Sequence, residues 1–221
     1  MFYFDNIYGK KVLRSDYLND INAFFTTREG FDFEKLNSRR VLSPTQTHSD
    51  NVAFVDSRTE YPNTDGLILT NFEDTIFLRF ADCTPLIFYD KKQKIAAVSH
   101  AGWRGTAQKI GVKTIQKMKS KPSDIIAAIG PAISICCYEV SEDVKDTLLA
   151  TVKQTDKLYE NRNVDLKKIN AQQLKEFGVK EIDICPYCTS CDNDLFYSYR
   201  KENGTKERHM AVVGLIKEHN E

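Results

Sequence analysis

The amino-acid sequence predicts an α+β fold: one domain spanning residues 1–221, in which mixed β-sheets carry packed helices. Three observations predict it. A chain of 221 residues is better accommodated by one large domain than by two. Short apolar runs are joined by turn-sized polar gaps, as hairpin strands are, while segments of helical period lie between them. Neither G-x-G-x-x-G nor G-x-x-x-x-G-K-[ST] occurs, which argues against a doubly wound dinucleotide fold or a P-loop enzyme.

The elements follow in chain order. Residues 39–56 read as two strands around the polar turn Ser49-Asp50-Asn51, and DGLILT (65–70) and TIFLRF (75–80) as further short strands. PLIFYD (85–90) and KIAAVS (94–99) flank a Lys/Gln turn and predict a hairpin. From 102 to 119 the period becomes helical, with Ala107, Ile110, Ile115 and Met118 near one face. DIIAAIG (124–130) predicts a buried strand. Ser141 is placed to cap a helix with Glu142 and Asp143 in its first turn and Val144, Leu148 and Val152 on its face. A further helix is predicted from Asp165 to Phe177, closed by Gly178. DLFYSYR, a KENG turn and HMAVVGLI predict a closing hairpin.

Composition narrows the function. With 41% hydrophobic and 11% aromatic residues the chain can bury a core without disulfides. Equal numbers of basic and acidic residues, 31 of each, leave no basic stripe for nucleic acid. The N-terminus MFYFDNIYGK has no apolar core or cleavage site of a signal peptide, and no apolar run approaches the ~20 residues of a membrane span. A cytoplasmic protein without a membrane partner is expected, with a homodimer as one possible assembly. Its six cysteines are then expected to be free, metal-bound or catalytic.

Three segments carry candidate chemistry: TQTHSDNV with His48, RFADCTPLIFYD with Cys83 and AVSHAGWRG with His100. Each sets its residue at a strand end, where rigid scaffolds present functional side chains. Two imidazoles and a thiolate suit zinc, and three protein ligands leave the fourth position open, as in catalytic sites. Spacing alone does not select this set, because the residues stand 35 and 17 positions apart. Cys83 could instead be a buried small hydrophobe, or a nucleophile with His100 or His48 as its base. Beyond His100, Gly102 and Gly105 permit close backbone approach, and Arg104 at the start of a predicted helix offers a phosphate corner. The alternative has Trp103 in the core and Arg104 paired with a surface carboxylate.

ADCTPLIFYD, SHAGWRGTAQKI and IGPAISICCYEVSEDV resemble the YfiH family, whose members also carry the labels multicopper polyphenol oxidase, laccase-domain protein, purine nucleoside phosphorylase and peptidoglycan editing factor. The likeness runs from TTR (26–28) through TQTH (45–48), TDGLILT (64–70), DLKKINAQQL (165–174) and CTSCDNDLFYSYR (188–200) to RHMAVVGL (208–215). It implies an α+β domain of mixed sheets and zinc held by His48, Cys83 and His100. The implied activities are phosphorolysis of adenosine, inosine, guanosine and methylthioadenosine, and deamination of adenosine, with purine nucleosides and phosphate as the molecules bound. A multicopper oxidase needs more histidines than the four present, so the copper label fits poorly. The stretch between TTR and TQTH is shorter than the family's Gly/Ser/Asn-rich segment, so substrate preference does not carry over. Two alternatives stand beside the nucleoside enzyme: a Cys83/His100 hydrolase acting on a peptidoglycan precursor, and a non-enzymatic zinc-stabilised binding module.

Other residues are weaker candidates. Cys185, Cys188 and Cys191 form C-x2-C-x2-C, an incomplete metal set read here as three free thiols, to which Cys136 or Cys137 could add a ligand only if the fold brings them near. Tyr138 is a candidate pocket residue, and Glu139 either joins it or begins a helix. Asp82 could orient a metal ligand, but in an extended segment it faces away from Cys83.

Overall fold

The structure, a computed structural model, describes residues 1–217. The chain opens with β1 (Phe2–Ile7), β2 (Lys10–Ser15) and β3 (Asn22–Thr26). Next come β4 (Arg40–Leu42), β5 (Val52–Phe54), β6 (Gly66–Leu69), β7 (Asp74–Phe80), β8 (Thr84–Asp90) and β9 (Ile95–Ala101). Helices α1 (Trp103–Ala107) and α2 (Ile110–Met118) lead to β10 (Ile125–Ile129), then to α3 (Glu142–Leu149) and the short strands β11 (Tyr159–Glu160) and β12 (Asn163–Val164). Helix α4 (Leu166–Phe177), β13 (Glu181–Ile184) and β14 (His209–Gly214) complete the described chain. No described helix is long and apolar enough to cross a membrane.

Two six-stranded sheets form, ordered β1-β2-β3-β14-β7-β4 and β13-β10-β8-β9-β6-β5. Both are mixed: β4·β7, β5·β6 and β10·β13 are parallel, and the other pairs within these two sheets are antiparallel. The expected α+β architecture of mixed sheets and packed helices is therefore present. The main core lies between the sheets, with Phe25, Ile76, Leu78 and Val213 of one meeting Leu67, Ile87, Tyr89 and Val98 of the other. On the far face of the second sheet, Leu86, Phe88 and Ala97 pack against Ile110, Ile115 and Leu174 of α2 and α4. Strand β8 is thus buried on both faces, which explains its unbroken apolar reading PLIFY.

The 85–99 hairpin forms with Leu86 opposite Ser99 and Asp90 opposite Ile95. Helix α4 starts with the Asp165 side chain accepting from the Lys168 N–H and ends at Gly178 with φ +111°. Four expectations need correction. The 102–119 segment is two helices, because Lys109 takes a left-handed φ of +57°; the carbonyl of Thr106 at that break accepts from the Gln173 amide at 2.9 Å. The closing hairpin does not form. β14 inserts between β3 and β7, while DLFYSYR folds as turns held by buried Phe196 and by Arg28 donating to the Asn193 carbonyl at 3.2 Å. The strands around Ser49-Asp50-Asn51 exist, but β4 and β5 belong to different sheets. Ser141 precedes α3 without a side-chain cap, and Val152 lies beyond its end.

Candidate functional site

Three neighbouring strands of the second sheet end together. Pairing sets Pro85 opposite His100 and Gly66 opposite Ser99, so Cys83 before β8, His100 on β9 and Asp65 before β6 emerge side by side. The His100 N–H donates to the Asp65 carbonyl at 2.8 Å, fixing that alignment. His48 comes from the loop between β4 and β5, which folds around the Asp65 carboxylate. That carboxylate accepts from the N–H groups of Thr47 at 3.1 Å, His48 at 3.1 Å and Ser49 at 2.8 Å, and from the Ser49 hydroxyl at 2.7 Å. His48 sits at φ +61°, a costly conformation for a residue with a Cβ, and these bonds hold it there.

One donor atom each from His48, Cys83 and His100 lies within 4.8 Å of the others. Buried His100 bonds through Nδ1 to Asp65 Oδ1 at 2.8 Å, which leaves Nε2 for the cluster. Gly102 closes the other side. A Cβ there would stand 2.9 Å from Cys83 Sγ and 3.1 Å from His48 Cδ2, too near for either. The chain at 102 is glycine because the cluster occupies its side-chain space.

The charges of Cys83, His100 and Asp65 are coupled. Burial pushes the Cys83 thiol up, but His100 and His48 beside it outweigh that and bring it down to about 6. Burial pushes His100 down, yet the Cys83 sulfur and the Asp65 carboxylate raise it to about 9. Asp65 stays well below the usual carboxylate range despite burial, held by His100, Ser49 and the Thr47 N–H. Without metal the row is thiolate, imidazolium and carboxylate. A divalent ion would meet a ready thiolate and displace one proton from His100. Three converging N and S donors with a supporting carboxylate suit a thiophilic metal with an open coordination position.

The trio lies in a cavity of about 890 Å³ whose lining includes Tyr138, Tyr199, Arg79, Arg200, Lys206 and Arg208. Among the described residues none of these four cations is ion-paired with a carboxylate. Burial pushes the Tyr138 hydroxyl up to about 12, so it stays a proton donor. Among the described residues Asp82 is the one carboxylate of the lining. Its φ of +84° breaks the extended run expected there, and its oxygens are occupied by the Thr189 hydroxyl and the Arg200 N–H, each at 2.7 Å.

Arg104 lies outside this lining. It is exposed in a five-residue helix, with its guanidinium 4.5 Å from the Trp103 ring centroid. The Glu139 carboxylate pairs with Arg162, and its carbonyl accepts from Arg200 at 3.2 Å. Asp65 and the cationic mouth were missed in the sequence. Asp65 had one visible signal, as the acid that opens the apolar strand DGLILT. The cysteines regroup: Cys136, Cys137, Cys188 and Cys191 converge, while Cys185 is buried in the main core.

The profile of the family described as multi-copper polyphenol oxidoreductase laccase matches residues 24–216. Purine nucleoside phosphorylase YlmD of Bacillus subtilis (strain 168) is 38% identical over 194 residues, 77% of this chain and 69% of that protein. A purine nucleoside phosphorylase of Clostridium acetobutylicum is 32% identical over 206 residues, 88% of this chain and 87% of that protein. The crystal structure of YlmD from Geobacillus stearothermophilus matches with a TM-score of 0.87 at 29% identity, over 97% of this chain and 99% of that one. The chain belongs to the laccase-like YfiH family, as its motifs indicated.

Proposed function

We propose that the protein is a zinc-dependent purine nucleoside phosphorylase acting on adenosine, inosine, guanosine or methylthioadenosine with inorganic phosphate. One observation carries this reading. The His48, Cys83 and His100 donors sit in the same cavity as four cations that have no carboxylate partner among the described residues. The names of the relatives support the same class of reaction.

In this reading His48, Cys83 and His100 hold the zinc ion, with Asp65 orienting His100. Zinc in such a site supplies Lewis acidity and positive charge. Arg79, Arg200, Lys206 and Arg208 draw in phosphate and offset its charge, and a guanidinium fork matches two of its oxygens. Tyr138 and Tyr199 offer aromatic faces to a flat purine, and the protonated Tyr138 hydroxyl is a donor for it. Phosphate oxygen then bonds C1′ as the C1′–N9 bond breaks. The purine leaves with the electron pair and a proton, and ribose 1-phosphate remains.

Deamination needs a carboxyl to move protons at the base, but Asp82, the one carboxylate of the lining among the described residues, already accepts from the Thr189 hydroxyl and the Arg200 N–H. The geometry therefore favours phosphorolysis over deamination. The Cys83–His100–Asp65 row also matches a cysteine hydrolase. Incubating the metal-loaded protein with adenosine, with and without phosphate, tests the assignment. Adenine and ribose 1-phosphate are expected only with phosphate, and chelation should abolish them. Activity that survives chelation and is lost on alkylation of Cys83 would establish the hydrolase instead.

A further inference from the structure

The second cysteine cluster is formed by two loops that leave one sheet edge together. β10 and β13 run parallel, with Ile129 beside Ile184. Their exits stay joined: the Cys185 N–H donates to the Ile129 carbonyl at 2.8 Å and the Thr189 N–H to the Ala132 carbonyl at 3.2 Å. The loop after β10 carries Cys136 and Cys137, and the loop after β13 carries Cys188 and Cys191. Residues about fifty positions apart in sequence thus converge, although the C-x2-C pair alone is incomplete as a metal signal.

The geometry fits one ion. Cys191 Sγ lies 3.5 Å from both Cys136 Sγ and Cys137 Sγ, and all four sulfurs are within 4.8 Å of one another. Four sulfurs at the Zn–S length of about 2.3 Å from a tetrahedral ion stand about 3.8 Å apart. An iron–sulfur cluster needs a wider set, because its four cysteines are divided among two or more irons. The Ser134 N–H donates to Cys188 Sγ at 3.3 Å, and the backbone N–H groups of Ser190 and Cys191 face the same sulfur. Such donors stabilise a ligating thiolate. Cys136 and Cys191 are exposed, so an ion can enter from solvent. Four thiolates fill a tetrahedron and leave no position for substrate, the mark of a structural site.

We propose that Cys136, Cys137, Cys188 and Cys191 bind a structural zinc ion in a closed four-thiolate site, separate from the open site of His48, Cys83 and His100. The clamp bears on the cavity through its neighbours in the chain. Tyr138, which lines the cavity, follows Cys137 directly. Thr189 follows Cys188 and holds Asp82, the residue before Cys83, at 2.7 Å. The ion is a positioning element, linking two loops that shape the mouth.

Metal analysis of protein purified under reducing, chelator-free conditions tests this, and its outcome does not depend on the proposed reaction. A Cys83→Ala/His100→Ala variant keeps all four cysteines of the clamp and should retain about one zinc per chain. Cobalt substituted into that variant should show tetrahedral d–d bands and intense thiolate-to-cobalt charge transfer. A Cys188→Ser/Cys191→Ser variant should lose about one zinc relative to the wild type and keep any metal held by the open site. A Cys83→Ala/His100→Ala protein without metal, or one whose cobalt form lacks the four-thiolate spectrum, would overturn the proposal even if the Cys188→Ser/Cys191→Ser variant fails to fold. So would a disulfide among these four cysteines in freshly purified, alkylated wild-type protein.

Discussion

At the scale of the residue, Asp65 organises the site without being a ligand. Its carboxylate gathers the N–H groups of Thr47, His48 and Ser49 and fixes the ring of His100. Replacing it with Asn leaves one side-chain oxygen to accept what two accept now. Asp65→Asn should weaken metal binding about 10- to 100-fold, the usual cost of losing a carboxylate behind a ligating histidine. Competition with a chromogenic chelator measures this, and unchanged affinity would remove Asp65 from the site. Gly102→Ala acts on space, since its methyl would press on Cys83 and His48. Metal content should fall sharply while the protein stays folded by circular dichroism. A fully loaded Gly102→Ala protein would show that the donors can move apart without loss. Gly102 was visible in the HAGWRG motif as a glycine permitting close approach; the cluster that approaches it was not, because its members come from three separate segments.

At the scale of the element, sequence reading succeeded where one local rule governs. The 85–99 hairpin has its turn between two apolar runs, and α4 carries both its cap and its closing glycine. It failed where distant contacts decide. Nothing in Gln108-Lys109 announces a break, since a lysine at positive φ has no sequence signature. The break is held from α4: buried Gln173 donates to the Thr106 carbonyl at 2.9 Å and to Thr151 Oγ1 at 2.7 Å. Gln173→Ala should therefore destabilise the protein by about 1–3 kcal/mol, the cost of leaving buried polar groups short of a partner. Urea unfolding reads this as a lower midpoint at unchanged slope. No shift would mean that the break between α1 and α2 stands without α4. HMAVVG similarly reads as a strand, but its partners, β3 and β7, lie far away in sequence, so its place in the sheet could not be read locally.

At the scale of the whole molecule, two sheets face each other across the main core, and the cavity that holds His48, Cys83 and His100 lies at strand ends. That core holds a histidine the reaction does not use. His209 is fully buried beside Phe80 and Phe196. Burial pushes it down to about 3; the Pro131 backbone opposes this, and Arg208 adds to it by a smaller amount. The unfolded chain binds this proton near pH 6.5 and the folded chain does not until about pH 3. Stability is therefore lost as pH falls through that window, by up to about 1.4 kcal/mol per pH unit. His209→Phe should flatten the fall in stability between about pH 6.5 and pH 5 relative to the wild type. Parallel curves for the two proteins would show that His209 takes up its proton normally. The central claim, that phosphate rather than water attacks the nucleoside, is tested most directly by tracing oxygen. Adenosine is turned over with phosphate carrying heavy oxygen in ordinary water, and then with ordinary phosphate in heavy-oxygen water. Phosphorolysis predicts that the C1′ oxygen of the ribose product comes from phosphate. Oxygen from water at C1′, or at C6 of a deaminated base as the main product, would contradict it.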